Sequence, residues 1–228
     1  MYRVLFLLVV VLFAGLLVAG CSQREAVKPP APPTPAPITK PAPAPAPAPE
    51  TPAALEGTKV LLVIAQKDFN DVEFTEPRLL LGDQGATLTV ASKKKSAATG
   101  MEGAEVMPDL ALSKVKVPDY DAVVFIGGSG ASDYFDDPEA LAIAREAAEE
   151  NKIVAAICLA PGILAKAGLL KGEDATITES RSDLLTEAGA KYMGPGVVES
   201  GLFVTASGPD QAKAFAEKLA ELLSHPEG

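Results

Sequence analysis

The feature that most constrains the fold is an apolar segment that ends in a single cysteine. Residues 153–157 are apolar and rich in β-branched side chains, and Cys158 follows them directly. Leu159, Ala160 and Pro161 then lead into a short apolar stretch with the composition of a helix. The pattern predicts a buried strand, a sharp turn that carries the thiol, and a new helix. Such a turn places a side chain at the carboxyl end of a sheet, where open α/β folds bind their ligands.

Cys158 allows two interpretations. A lone cysteine is most often a small apolar residue of the core. On the predicted turn, however, the sulfur lies at a helix N-terminus, where the partial positive charge favours the thiolate. The backbone N–H groups of Gly128 and Leu159 are expected at the same sheet edge, where they could stabilise the oxyanion that forms when a thiolate attacks a carbonyl. The loop at residues 68–73, after the first predicted strand, and the loop at residues 127–130 are expected to converge with the Cys158 turn at this edge. The surrounding pattern favours a reactive nucleophile.

Strand-like and helix-like segments alternate along the rest of the chain. The predicted strands are residues 60–65, 86–91, 104–107, 121–126, 153–157 and 175–178, with a hairpin at 197–205. The predicted helices are residues 76–84, 137–151, the stretch after Cys158, and a terminal helix that starts at Pro209. In the first of them, Leu79, Leu80 and Leu81 are expected to point inward. Continuous apolar runs are typical of parallel strands covered on both faces. We therefore predict a flavodoxin-like, doubly wound α/β domain at residues 59–228, with a mostly parallel sheet and helices on both faces.

The N-terminal residues have the features of an export signal. Arg3 precedes an apolar stretch at residues 4–20, which ends in Ala19 and Gly20 before Cys21. A basic start, an apolar stretch and small residues before a cleavage site are typical of a signal peptide, here residues 1–20. The cysteine at this junction resembles the lipobox of bacterial lipoproteins. The resemblance implies cleavage before Cys21 and a lipid on that residue that anchors the chain in the bilayer, whereas an uncleaved signal anchor is the alternative.

Residues 21–58 are predicted to form a tether. Residues 29–52 contain 12 prolines in 24 positions. Because proline lacks a backbone donor and fixes φ, this segment favours extended polyproline II over a helix or a sheet. A docking site for proline-binding modules is the alternative. Ser22 stands where many inner-membrane lipoproteins carry aspartate, which favours the outer membrane and a periplasm-facing domain in the bacterial cell envelope.

Composition and motif spacing exclude several classes of function. The chain has a net charge of −10, which argues against nucleic-acid binding. The glycine-rich segment at residues 127–130 lacks the spacing of a nucleotide fingerprint, and no Lys-Ser or Lys-Thr pair follows it. His225 is the single histidine and lies in a polar tail, so the sequence contains no His/Cys cluster for zinc. We expect no cofactor and no metal site.

Several short motifs occur in order along the predicted domain. They are Val60–Val63, Asp71–Pro77, Asp119–Val124, Gly127–Gly128, Ala155–Cys158, Pro161, Ala167–Gly172 and Gly208–Asp210. Together they resemble the ThiJ/PfpI family, within the class I glutamine amidotransferase-like superfamily. The resemblance implies that Cys158 is the reactive residue, that Glu73 hydrogen-bonds to it, and that the chain forms a homodimer. Position alone would make Glu73 an acidic residue that complements the first helix, whereas a carboxyl buried beside a thiolate would have a raised pKa and donate a proton.

Two departures from the family pattern bear on catalysis. Leu159 stands where protease-type members carry histidine, and Thr178 or Glu179 occupies the region where deglycase-type members carry one. The resemblance implies a cysteine-dependent enzyme that acts on small carbonyls or glycated adducts, with weak turnover because no imidazole is present, and protease activity is not expected. Two other functions stay open. One is a redox-responsive, protective domain in which Cys158 is oxidised to a sulfinate stabilised by Glu73, and the other is a non-catalytic binding module.

Overall fold

In the computed structural model, which describes residues 54–225, strands and helices alternate along the chain. The strands are β1 (Lys59–Val63), β2 (Lys67–Phe69), β3 (Thr87–Ser92), β4 (Ala98–Gly100), β5 (Glu105–Val106), β6 (Leu110–Ala111), β7 (Ala122–Phe125), β8 (Ile153–Ile157), β9 (Asp174–Ala175), β10 (Lys191–Tyr192), β11 (Val197–Ser200) and β12 (Phe203–Ala206). The helices are α1 (Asp71–Asp83), α2 (Pro138–Glu149), α3 (Pro161–Lys166), α4 (Ser182–Glu187) and α5 (Ala212–Ser224).

Seven strands form the central sheet in the order β11-β12-β8-β7-β1-β3-β6. Neighbouring strands are parallel except for the β11–β12 hairpin. The chain leaves β1 toward β3 on one side and later returns to β7 on the other side. This reversal creates a crevice at the carboxyl ends of β1 and β7, which is where open α/β sheets bind ligands. The predicted flavodoxin-like, mostly parallel α/β fold is confirmed.

Helices cover both faces of the sheet. Leu81 of α1 and Phe215 of α5 pack on one face, with the side chains of Val60 and Leu62 from β1. Ile143 of α2 and Leu164 of α3 pack on the other face. Successive strand residues point to opposite faces, so a strand covered on both sides is apolar at every position. That arrangement explains the continuous apolar runs in the sequence.

Helix α1 begins earlier than the sequence pattern predicts. The predicted start was residue 76, whereas the helix starts at Asp71 and continues through Pro77. The side-chain oxygen of Asn70 accepts hydrogen bonds from the backbone N–H groups of Val72 and Glu73, each at 3.1 Å. This N-cap satisfies two of the free donors of the first turn. It also fixes Glu73 as the third residue of the helix.

The three consecutive leucines of α1, Leu79, Leu80 and Leu81, do not all face the core. Leu81 is fully buried, Leu80 is half-buried, and Leu79 is 52% exposed. The prediction that all three point inward is wrong, because three consecutive residues cover more than half a turn of a helix.

Two small sheets accompany the central one. Strands β2, β4 and β5 form a three-stranded sheet, and β9 pairs with β10. The sequence pattern predicted neither β2 nor β4, because strands of three residues are too short to show a period. The predicted strand at 175–178 is reduced to Asp174–Ala175.

The signal peptide at residues 1–20, the lipidation at Cys21 and residues 21–53 of the tether lie outside the described residues. Leu55, which precedes the predicted domain start at residue 59, is fully buried. Its backbone N–H donates to the carbonyl of Gln84 at 2.8 Å. The packed core therefore includes residues just before β1. No helix within residues 54–225 combines the length and hydropathy of a transmembrane span.

Candidate active site

Cys158 lies directly after β8, on a turn with an unusual backbone. Its φ is +62°, a left-handed value that residues other than glycine seldom adopt. Its N–H donates to the carbonyl of Ala206, and its carbonyl accepts from the N–H of Thr178, both at 2.8 Å. Helix α3 starts shortly afterwards, at Pro161. The chain thus forms the predicted strand, turn and helix, and hydrogen bonds to two neighbouring segments hold the turn in its strained conformation.

The loop after β7 packs against the cysteine so closely that only glycine fits. A Cβ atom at Gly127 would lie 2.5 Å from a carboxyl oxygen of Glu73, 2.5 Å from the carbonyl of Ile157 and 2.7 Å from the Cβ of Cys158. The carbonyl of Gly127 accepts a hydrogen bond from the N–H of Asn70 at 3.0 Å. The loops that follow β1, β7 and β8 therefore converge, as the sequence predicts for the carboxyl edge of the sheet.

Glu73 is completely buried beside the cysteine. Burial raises the pKa of its carboxyl from 4.5 to about 7, and the Cys158 thiol and the Gly127 N–H oppose that shift. Both groups lie near the carboxyl, yet neither of its oxygens makes a hydrogen bond of good geometry within the described residues. A buried carboxylate without full partners is costly, so the neutral form is favoured. Glu73 consequently holds its proton in a large fraction of molecules at neutral pH.

The thiol of Cys158 is also hard to ionise. Burial and the charge of Glu73 raise its pKa from 9.0 to about 12, while the N–H groups of Gly128 and Leu159 favour the thiolate. The expectation of a thiol ionised by its helix N-terminus is therefore wrong, because burial and the charge of Glu73 outweigh the backbone N–H groups that favour the thiolate. The two groups interact, so they lose protons as a pair. At neutral pH the thiol therefore keeps its proton, while Glu73 is protonated in about half of the molecules.

A cavity of about 230 Å³ opens over the sulfur. Its lining residues are Asn70, Met101, Gly128, Ser129, Cys158, Leu159, Thr178, Ser180 and Arg181. A larger open groove of about 480 Å³ runs along α1, past Arg78 and Leu79. That groove contains no nucleophile, whereas the smaller cavity combines a thiol, backbone donors and hydroxyl groups. The smaller cavity is therefore the candidate active site.

The model of the DJ-1/PfpI family matches residues 58–222, which is most of the chain. This chain belongs to the DJ-1/PfpI family. An uncharacterized protein of Methanocaldococcus jannaschii is 38% identical over 74% of this chain and 84% of the relative. A deglycase of Thermococcus kodakarensis is 32% identical over 72% of this chain and 98% of the relative. A glutathione-independent glyoxalase of Caenorhabditis elegans is 29% identical over 73% of this chain and 89% of the relative.

A solved structure shows the same family fold. The ThiJ/PfpI domain protein from Brachyspira murdochii superposes with a TM-score of 0.72 at 31% identity, and the match covers 74% of this chain and 97% of that protein. The resemblance to the ThiJ/PfpI family that the motifs indicate is thus confirmed.

The DJ-1/PfpI domain brings most of the predicted site residues together. Cys158, Gly128 and Leu159 line the cavity, and Glu73 lies behind the sulfur. Thr178 also lines it, and this residue and Glu179 form the region where the family resemblance leads one to expect a histidine. His225 is exposed after α5. Within residues 54–225 no imidazole is therefore available to the thiol, and no group of three metal-binding side chains occurs.

Asn70 and Ser129 belong to loops that the sequence predicts at this edge, whereas Met101, Ser180 and Arg181 are not predicted by it. Asn70 had a detectable signal, since asparagine before an acidic first turn is a common N-cap. Met101 had no such signal in the sequence, because a tertiary contact determines its position at the cavity. Asp71 accepts hydrogen bonds from the N–H groups of Glu102 and Ala104, each at 2.9 Å, and so fixes the turn that carries Met101.

Proposed function

We propose that this DJ-1/PfpI chain acts on small carbonyl compounds or glycated adducts through Cys158, in the manner of a glyoxalase or deglycase. The observation that supports this most is the position of the Cys158 sulfur, which faces a small cavity with two backbone donors and a buried, half-neutralised carboxyl beside it. Relatives named deglycase and glyoxalase support the same class of chemistry.

The first step is addition of the thiol to an aldehyde. A carbon–sulfur bond forms, the π electrons of the carbonyl move to its oxygen, and the thiol proton passes to the carboxylate of Glu73. A base with a pKa of about 7 is well matched to neutral pH for this transfer. The N–H groups of Gly128 and Leu159 stabilise the new oxyanion. Glu73 then returns the proton to that oxygen, which yields a hemithioacetal and regenerates the carboxylate.

Later steps depend on further proton transfers. With a 2-oxoaldehyde, the C–H proton of the first carbon moves to the second carbon, and the hydroxyl proton on the first oxygen moves to the second oxygen. The hemithioacetal thereby becomes a thioester, and water then releases a 2-hydroxy acid and the thiol. Because neither position 159 nor the region 178–179 carries an imidazole, only Glu73 or water can make these transfers. General acid–base catalysis typically contributes ~10²–10⁴-fold, so turnover is expected to be weak. Peptide hydrolysis is not expected, because its amine leaving group must be protonated.

A redox role is the second candidate, and the surroundings of the sulfur favour it. The N–H groups of Gly128 and Leu159 act on the sulfur, and Glu73 can donate its proton. A sulfinate at Cys158 would accept hydrogen bonds from all three groups. Peroxide supplies the oxidant in this case.

The proposal extends to location and assembly. The apolar start and the junction at Cys21 support a lipidated chain in the bacterial cell envelope, and the proline-rich segment supports a tether between the lipid and the domain. Cys21→Ser should release the protein from membranes or block its processing, and unchanged fractionation would argue against lipidation. The homodimer stays a prediction, which sedimentation of the purified protein would test.

Methylglyoxal consumption by purified protein tests the catalytic proposal. We expect weak turnover in the wild type, none in Cys158→Ser, and a 2-hydroxy acid as product. Consumption that survives Cys158→Ser would overturn the proposal. Mass spectrometry of the two proteins after peroxide treatment then tests the redox role, which predicts a gain of two oxygen atoms on Cys158 alone.

A further inference from the structure

Arg181 is the one charged side chain among the described residues that line the Cys158 cavity. It precedes α4 and closes the 3₁₀ turn at Glu179–Arg181. The chain as a whole carries a net charge of −10, so a cation at this cavity is not a consequence of composition. The other lining residues are neutral or, like Cys158, mostly uncharged at neutral pH.

The guanidinium of Arg181 is largely available to a ligand. Its Nε lies 3.5 Å from a carboxylate oxygen of Asp183. The two side chains are 40% and 55% exposed, so water screens this pair and it contributes little. Within residues 54–225 the two terminal nitrogens make no ion pair. These nitrogens form the planar fork that binds a carboxylate with two parallel hydrogen bonds.

We propose that Arg181 makes the cavity selective for carbonyl compounds that carry a carboxylate. The inference rests on the proposed carbonyl chemistry and adds its substrate class. With a volume of about 230 Å³, the cavity has room for a compound of only a few carbon atoms. Such a compound presents its carbonyl to the sulfur of Cys158 and its carboxylate to Arg181. A neutral aldehyde can present its carbonyl to Cys158, but it has no carboxylate to bind Arg181.

Alkylation of Cys158 tests this selectivity without any need for turnover. Iodoacetate and iodoacetamide react with a thiol by the same displacement of iodide, and they differ only in a carboxylate or an amide. The ratio of the iodoacetate rate to the iodoacetamide rate therefore reports the charge preference of the cavity. We expect Arg181→Gln to lower that ratio roughly three- to ten-fold at low salt, as for one partly screened charge contact.

Three matched variants show whether a lower ratio in Arg181→Gln results from loss of the positive charge at the cavity. Arg181→Lys keeps the charge and should keep most of the preference. Asp183→Asn removes the competing carboxylate and should keep or raise it. Lys213→Gln alters the net charge equally at an exposed position on α5, outside the cavity lining, and should leave the ratio unchanged. A ratio that Arg181→Gln does not lower, or that Lys213→Gln lowers as much, overturns the inference.

A substrate pair separates this inference from the proposed function. The two compounds are 4,5-dioxopentanoate and its methyl ester, small 2-oxoaldehydes of which only the first carries a carboxylate. Faster consumption of the acid by the wild type, lost in Arg181→Gln, supports both proposals. If neither compound is consumed while the alkylation ratio still falls in Arg181→Gln, the carbonyl chemistry is overturned and the carboxylate preference stands.

Discussion

The Glu73 carboxyl and the Cys158 side chain both pack against Gly127. A Cβ placed on Gly127 would lie 2.5 Å from an oxygen of Glu73 and 2.7 Å from the Cβ of Cys158. The first turn of α1 and the loops after β7 and β8 thus share one buried position, where the pKa values of both side chains are raised. Neither group can be changed without altering the ionisation of the other.

The variant Glu73→Gln is expected to separate thiol ionisation from catalysis. The charge of Glu73 is, after burial, the main cause of the raised pKa of Cys158, so removing it should lower that pKa. A pH profile of iodoacetamide labelling should therefore move to lower pH. Turnover of methylglyoxal should nevertheless fall, by about 10²-fold or more, because glutamine cannot accept the thiol proton. An unchanged labelling profile, or turnover equal to that of the wild type, would contradict the coupling.

The raised pKa of Glu73 also predicts how stability depends on pH. Its pKa is 4.5 when exposed and about 7 in the folded protein, so the folded state binds the proton more tightly. The stabilisation is fully present below pH 4.5 and is lost as pH rises through about 7. The shift corresponds to about 3 kcal/mol of unfolding free energy across that window. Urea denaturation at several pH values should show this decline in the wild type.

Glu73→Gln is the control for that experiment, since glutamine is neutral throughout. The variant should lose the part of the pH dependence between 4.5 and about 7, while contributions from other groups persist. Equal slopes in the two proteins would mean that Glu73 has an ordinary pKa in the folded state.

Much of this site could be predicted from the sequence, and the features that could not be predicted have physical causes. The continuous apolar runs and the cysteine at the end of one of them predicted the parallel sheet and the turn, because burial on both faces leaves a pattern in the sequence. The protonation state was predicted wrongly, since burial of Cys158 depends on how loops pack and leaves no local signal. Arg181 and Met101 reach the cavity from separate loops, and only the tertiary structure brings them there.

Gly128→Ala should both destabilise the domain and disturb the site. Gly128 has a φ of +97°, and a Cβ there would lie 2.5 Å from the backbone nitrogen of Asn70. Gly168 is a matched control, because its φ is +81° and a Cβ there meets nothing within 4 Å. Both substitutions strain the backbone, while only Gly128→Ala adds overpacking of about 1–3 kcal/mol. Thermal or urea unfolding of the two variants measures that difference, and equal losses would refute the close packing at Gly128.

The variant Leu159→His tests whether the missing imidazole limits the chemistry. Leu159 lines the cavity directly after Cys158, and its backbone N–H already acts on the sulfur. Histidine there would retain that N–H and add a group that moves protons near neutral pH. We expect Cys158-dependent loss of methylglyoxal to rise, by up to about 10²-fold, toward the contribution typical of general acid–base catalysis.

Leu159→Asn supplies a polar side chain that cannot titrate, so it should not reproduce the gain. Casein cleavage measured in parallel should be negligible in the wild type, because no imidazole is present beside Cys158 to protonate the leaving amine. Equal rates for the His and Asn variants would mean that proton transfer is not limiting, and casein cleavage by the wild type that Cys158→Ser abolishes would identify a protease.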